Sequence, residues 1–444
     1  MTRTLRFDPP CGPVEGWADG AVVRVTGLPY ARAGRFERPE PAPDWTHRLR
    51  ATQWAPACPQ VAEPLLDEGP GGVLGALRQD ERCQHLSITR PGDLAAHEAL
   101  PVMVWIHGGS YTSGAGDAPC YDPAALVAEQ RVVAVSVTYR LGMLGYLGDG
   151  AGKPANLGLL DQIEAFRWVR RNIAAFGGDP SNVTAFGHSA GGDAIAHIMA
   201  TADAASLFRR AIIQSPPLGL APGRGRMSAA MARAGERATA DMPVTRILSL
   251  QKKVSRAGAR FGLRGGMPFG TQYGHAPLPA ERDITSAWEA VAPRIEVLIG
   301  HTAQEARLFL PAIPAAVRRL FRLPVLGRPL ERLAVTFVTS AVYGRAVRTF
   351  ADRHARSGGR VHRYTILWSP PGNALGSAHT IELPLLFGNR KVWRGAPQVS
   401  GATWQEIDEK GVMLRKIWAD FARGNDIGYR EVFENLIEYD RISN

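Results

Sequence analysis

Cysteine is scarce in this chain: Cys11, Cys58, Cys83 and Cys120 are the only four in 444 residues. That is too few for a disulfide scaffold. No Cys-x-x-Cys, His-Glu-x-x-His or other metal-ligand spacing occurs, which predicts no metal and no cofactor. No apolar run reaches the length of a membrane-spanning helix. The stretch Met1 to Pro10 lacks the apolar segment of a signal peptide, so a soluble cytoplasmic protein is the expectation. There is no internal repeat and no low-complexity linker, because the 48 glycines and 33 prolines are spread along the chain. Lysine is rare, and arginine carries most of a net charge of +11. The basic residues form no run beyond pairs such as Arg209-Arg210, and no aromatics interleave with them. A solvated, arginine-rich surface follows, with no nucleic-acid and no membrane partner. Nothing in the sequence sets the oligomeric state.

What is present is material for a large core, since 45% of the residues are hydrophobic. The stretch around which the chain is organised is Val183-Thr184-Ala185-Phe186-Gly187-His188-Ser189-Ala190-Gly191-Gly192. It reads as a short apolar strand entering Gly-His-Ser-Ala-Gly and then a helix, Ala190 to Ala200. Gly-x-Ser-x-Gly at a strand-to-helix turn is a nucleophile elbow. The turn is so tight that a side chain at either flanking position would collide, and glycine avoids the clash. It lifts the Ser189 hydroxyl to a helix N-terminus, where free amides favour developing negative charge.

Strand and helix patterns alternate on both sides of this elbow. An N-terminal hairpin is expected over 14–30, a surface loop over 31–80, and the edge of a strand over Cys83 to Thr89. Pro101 to Ile106 is a nearly continuous apolar run, as for a central strand buried on both faces, and it ends in His107-Gly108-Gly109-Ser110. Arg131 to Tyr139 is the next buried strand. Leu159, Leu160, Ile163, Phe166, Trp168, Val169 and Ile173 form one helical stripe. Further strands are expected at Ala211 to Ser215, Ile295 to Ile299 and Val361 to Leu367, and an amphipathic helix over Thr403 to Arg423. Such alternation implies a mostly parallel twisted sheet flanked by helices. Ligands sit at the carboxyl ends of its strands, so His107-Gly108-Gly109, Gly187-His188-Ser189 and Gln214-Ser215 should converge. The chain reads as a single domain over 1–444. Residues 219–290 and 311–359 are expected as pocket-capping or helical insertions, and the role of the second is left open.

A serine nucleophile needs a base, and on such a sheet the acid and then the histidine follow it in the chain. Glu305 is the only carboxylate between Ile299 and Glu331 and is the candidate acid. Of the later histidines, His354 lies in a charged stretch expected to be exposed, and His362 lies inside a strand. His379 lies in the loop after that strand and is the candidate base, with His301 the alternative. His107 and His188 precede the acid and are expected to line the cleft. The amide of Ala190, with those of Gly108 and Gly109, supplies the oxyanion donors. A dinucleotide loop is the rival reading of these glycines. It fails because Gly114-Ala115-Gly116 lacks the third glycine and opens no helix after a strand.

These segments resemble the type-B carboxylesterases, the cholinesterase-like branch of the α/β-hydrolase fold, over nearly the whole length. The resemblance is carried by Gly27-Leu28-Pro29-Tyr30-Ala31 with Arg35-Phe36 and Pro39, by His107-Gly108-Gly109, and by Asn156-Leu157-Gly158-Leu159-Leu160-Asp161-Gln162. Phe176-Gly177-Gly178-Asp179-Pro180, Gly187-His188-Ser189-Ala190-Gly191 and His379 with Glu382-Leu383-Pro384 complete it. It implies Ser189 as nucleophile, Glu305 as acid, His379 as base, and Gly108, Gly109 and Ala190 as oxyanion donors. Cys58 and Cys83 fall where the family often closes a disulfide loop, which a reducing cytoplasm would oppose. Three departures stand out. His188 replaces the usual Glu before the nucleophile, Gln304-Glu305-Ala306 replaces Asp-Glu-Gly, and no Trp lies between Cys58 and Cys83. The last, with the short chain, argues against choline esters and for a more open pocket. The expectation is a serine carboxylic-ester hydrolase acting through an acyl-enzyme on small to medium esters, without a cofactor. The alternatives are an amide or carbamate hydrolase of the same mechanism, acyl transfer to an acceptor other than water, and a non-catalytic esterase-like binding module.

Overall fold

The computed structural model describes residues 3–61, 74–95, 97–150, 152–433 and 435–443. Part of the loop expected over 31–80 therefore lies outside the described residues. The strands used below are β1 (Thr4–Phe7), β2 (Val14–Asp19), β3 (Val22–Pro29), β4 (His85–Pro91), β5 (Leu100–Ile106) and β6 (Val133–Val137). They continue with β7 (Gly178–His188), β8 (Arg210–Gln214), β9 (Glu296–Thr302), β10 (Val361–Ile366), β11 (Arg430–Phe433) and β12 (Ile437–Arg441). With the two-residue strand Leu49–Arg50 beside β2, they form one 13-stranded sheet in the order β1-β2-β3-β4-β6-β5-β7-β8-β9-β10-β12-β11. The run from β6 to β10 is parallel. Both ends of the sheet are antiparallel. This is the expected α/β-hydrolase architecture.

The two-residue period of a strand sends alternate side chains to opposite faces. Val102, Val104 and Ile106 of β5 enter one core cluster with Ala185 of β7, Ile213 of β8 and Ile299 of β9. Met103 and Trp105 enter the other, with Phe186, Ile212 and Leu298. A continuous apolar run is thus what a strand covered on both faces requires. On the first face pack helix α1 (Leu157–Asn172), through Leu159, Phe166 and Val169, and helix α2 (Ala190–Ile198), through Ala194 and Ile195. The second face is covered by the long C-terminal helix, Trp404–Arg423. Its Trp418 ring packs edge-on against Tyr364 at 5.2 Å. The helix starts where the Thr403 side chain accepts a hydrogen bond from the Glu406 amide at 3.1 Å, and it stops at Gly424, with φ 79°.

Three local expectations need correction. Strand β4 is interior, paired on both sides by β3 and β6, not an edge. His354 is 3% exposed and hydrogen-bonds the Ile295 carbonyl at 2.9 Å, because helical periodicity turns it inward while its charged neighbours face solvent. The final antiparallel pair, β11 and β12, carries too mixed a pattern to have been read as strands. Residues 219–290 contain helices α3 (Gly225–Ala234) and α4 (Val244–Ala259), whose Met227, Met231, Ile247 and Val254 join the first core cluster.

Candidate active site

The elbow is built as its glycines require. Ser189 has φ 57° and ψ −122°, a strained conformation for a residue with a β-carbon. A β-carbon on Gly191 would lie 2.0 Å from the Ile106 carbonyl oxygen, and one on Gly187 2.7 Å from the same atom. The end of β5 therefore approaches β7 and the start of α2 as closely as it does only because both positions are glycine. The Ser189 amide donates to the Gln214 carbonyl at 2.8 Å, which pins the turn to β8. The hydroxyl stands at the start of α2 and faces a cavity also lined by Gly109, His188, Leu308, Phe309 and His379.

His379 and Glu305 come from loops after β10 and β9. Nδ1 of His379 hydrogen-bonds Oε2 of Glu305 in a short contact, and both side chains are almost wholly buried. The other carboxylate oxygen accepts the Thr302 amide at 2.7 Å. Burial alone would raise the pKa of Glu305. The charge and hydrogen bond of His379 outweigh that, helped by the nearby Ser215 hydroxyl and by His301, and hold the carboxyl below its ordinary range. With Nδ1 so occupied, Nε2 is the ring nitrogen left for the cavity. The ring is held by Phe309 at 5.4 Å, Tyr343 at 5.5 Å and His188 at 4.4 Å between centroids. No hydrogen bond joins Ser189 to His379 among the described residues, as is common where no substrate closes the site.

The glycine-rich loop after β5 lies against the elbow. A β-carbon on Gly108 would be 3.1 Å from that of Ser189. Gly109 has φ 107°, and a β-carbon there would lie 2.1 Å from the Ser113 carbonyl oxygen. Among the described residues, no hydrogen bond within the chain occupies the amides of Gly108, Gly109 or Ala190. The histidines set aside are each committed elsewhere. His107 contacts the Gly108 carbonyl and stacks on Tyr139 at 4.4 Å. His301 contacts the Thr302 carbonyl and lines a separate cleft among arginines. His362 contacts the Gly428 carbonyl at 3.1 Å.

Sequence reasoning missed the environment behind the base. Glu382 is fully buried, and neither of its oxygens has a hydrogen-bond partner among the described residues. Its Oε1 lies 3.6 Å from Nε2 of His188. Burial first, and then the charge of Glu305, push Glu382 up to about 8. Burial, and then His379, hold His188 well below the ordinary histidine range. The pair is thus a protonated acid beside a neutral imidazole at neutral pH. The replacement of Glu by His before the nucleophile was the available signal, since a second carboxyl there would face Glu382. Residues 219–290, expected to cap the pocket, supply none of the described residues lining this cavity. They pack instead beyond α2, where Tyr273 reaches His197 at 2.9 Å. Cys58 and Cys83 are buried in contact as free thiols.

A strained serine at an elbow, facing a buried imidazole–carboxylate pair beside unoccupied amides, is an arrangement suited to acyl transfer. The model of the family described as "Carboxylesterase family" matches residues 7–320. The chain belongs to the carboxylesterase family. It is 39% identical to a protein named "Probable N-octanoylanthranilate hydrolase" from Rhodococcus erythropolis, over 93% of this chain and 91% of that protein. It is 32% identical to the para-nitrobenzyl esterase of Bacillus subtilis, over 93% and 88% of the two chains. A solved structure of a PNB esterase superposes with a TM-score of 0.78 at 30% identity, covering 95% of this chain and 91% of the other. A carboxylesterase of Geobacillus stearothermophilus superposes with a TM-score of 0.72 at 27% identity, covering 95% and 91%. Like the carboxylesterases it matches, the chain is a serine hydrolase acting on ester bonds.

Proposed function

We propose that this carboxylesterase hydrolyses small to medium carboxylic esters through an acyl-enzyme, with Ser189, His379 and Glu305 as its triad. The observation that carries the reading is the buried His379–Glu305 pair opening onto the same cavity as the Ser189 hydroxyl. Ser189 Oγ attacks the ester carbonyl carbon while Nε2 of His379 takes the hydroxyl proton. Glu305 fixes the imidazole tautomer and stabilises the imidazolium. The amides of Gly108, Gly109 and Ala190 receive the oxyanion. The C–O bond then breaks, and His379 passes its proton to the departing alcohol. Water, deprotonated by the same imidazole, releases the acid and restores Ser189. We assign the enzyme to the cytoplasm, since its four cysteines are too few for a disulfide scaffold.

Amide hydrolysis by the same steps is the second reading. It is favoured by the relative named for an N-octanoyl substrate. One experiment tests both: hydrolysis of p-nitrophenyl esters of increasing acyl length, and of N-octanoylanthranilate, by the wild type and by Ser189→Ala. Ester turnover that falls by about 10⁶ in the variant is the expected result. An inert wild type, or an active Ser189→Ala, would overturn the assignment. Faster cleavage of the amide than of every ester would move the substrate class to N-acyl compounds.

A further inference from the structure

Residues 311–359 had no assigned role, and the structure gives their first part an unusual surface. Helix α5 (Ala315–Leu320) and helix α6 (Gly327–Thr339) follow the turn that carries Glu305. Fourteen large apolar side chains are exposed among the described residues, and eight of them lie between 317 and 337. On and just before α6 they form one line, Leu326, Leu330, Leu333 and Phe337, at spacings of four, three and four, which place them on a single helical face. Leu333 is 67% and Phe337 60% exposed. The opposite face of α6 already packs inward through Val335 and Thr339, so the exposed stripe is not a misplaced core face. A cluster of this density on a soluble domain marks a contact surface.

The charge on this stretch is predominantly basic. Arg318, Arg319, Arg322, Arg328 and Arg332 lie on or between the two helices; Arg319 and Arg322 are exposed among Leu320, Leu323 and Val325, whereas the helical spacing puts Arg328 and Arg332 on the Val335 side of α6. Glu331 is the only acid between Glu305 and Asp352, and it faces Arg307 at 3.7 Å. None of the five arginines has an ion-pair partner among the described residues. A symmetric dimer through this face would bring Arg319 and Arg322 of one copy towards those of the other, which opposes self-association. Exposed leucines and a valine interleaved with unpaired arginines just ahead of the α6 stripe are the composition of a segment that lies in an anionic lipid interface.

We propose that α5 and α6 seat this enzyme on a lipid surface carrying acidic headgroups. Leucines and phenylalanine enter the acyl boundary, and the arginines meet the headgroup phosphates. The attachment is peripheral, since no helix of the described residues is long and apolar enough to cross a membrane. It departs from the expectation of no membrane partner. That expectation rested on the absence of long basic runs, whereas here a short arginine-rich segment lies among exposed apolar side chains. The surface also adjoins the catalytic cavity. The turn Glu305–Ala312 carries Glu305 together with the cavity residues Leu308 and Phe309. Its Ala306 amide donates to Thr339 Oγ1 of α6 at 3.2 Å. An enzyme seated on α6 therefore holds its cavity close to esters dissolved in the same surface.

The test is co-sedimentation of the full chain with vesicles of phosphatidylcholine alone or with added phosphatidylglycerol. Binding only to the phosphatidylglycerol vesicles, reversed by high salt, is expected. The variants L333E/F337E and R319E/R322E should each weaken it by about tenfold or more, while hydrolysis of a soluble ester by both stays at the wild-type rate. That rate also shows that the variants fold. Absence of binding by the wild type, or equal binding by both variants, would overturn the proposal. So would a wild-type dimer in sedimentation velocity that L333E/F337E converts to monomer, since the stripe would then be a self-interface.

Discussion

Glu382 is the residue whose environment makes the sharpest demand. It is held to about 8 by burial and by Glu305, against about 4.3 for an unfolded glutamate. Its folded pKa is the higher one, so between those values the folded protein keeps a proton that the unfolded chain releases. Stability from this group therefore declines as pH rises from about 4.3 to about 8. Glu382→Gln keeps the shape and removes the titration. The melting temperature of the variant should gain on that of the wild type steadily as pH increases through this window. Melting curves that shift in parallel would mean that Glu382 is ionised in the folded protein. The chemistry at this scale was only half legible in the sequence. Glu305 could be found because it is the only carboxylate in a long stretch. The partnership of Glu382 with His188 was hidden, because the two meet through the fold.

At the scale of elements, legibility followed periodicity. Strands buried on both faces, such as β5, announce themselves as unbroken apolar runs, and α1 shows one clear stripe. Strands β11 and β12 at the sheet margin do not, since β11 buries no side chain and β12 only Ile437 and Tyr439. The loop after β5 was readable from its glycines, and it supports a quantitative expectation. Alanine at Gly109 must abandon φ 107° and would collide with the Ser113 carbonyl, so the loop shifts and its amides leave the oxyanion position. Losing one such donor costs about 10²–10³ in rate. Gly109→Ala should thus lower kcat by that order, with the fold kept and the melting temperature lowered by the local strain. A variant as active as the wild type would remove this loop from the oxyanion role.

At the scale of the molecule, the proposal is that the chain folds as one domain, with 219–290 and 311–359 as insertions. The insertions have no core of their own. Ile247 and Val254 from the first, and Val347 and Phe350 from the second, belong to the same cluster as Val104 and Ile213 of the sheet. Unfolding either insertion would strip one face of the sheet, so the elements should melt together. The opposite face offers the probe. Trp418 is fully buried there, and its indole donates to Gln214 at 3.2 Å. Trp418→Ala removes that ring and leaves a cavity, which costs about 3–5 kcal/mol. In a single cooperative unit that loss reaches everything. Loss of esterase activity, exposure of the tryptophans and proteolysis within 219–290 should all move to lower temperature together, although the substitution lies on the far face of the sheet. If cleavage within 219–290 kept its wild-type midpoint while activity moved, the first insertion would be a separately folding unit and the one-domain reading would fail.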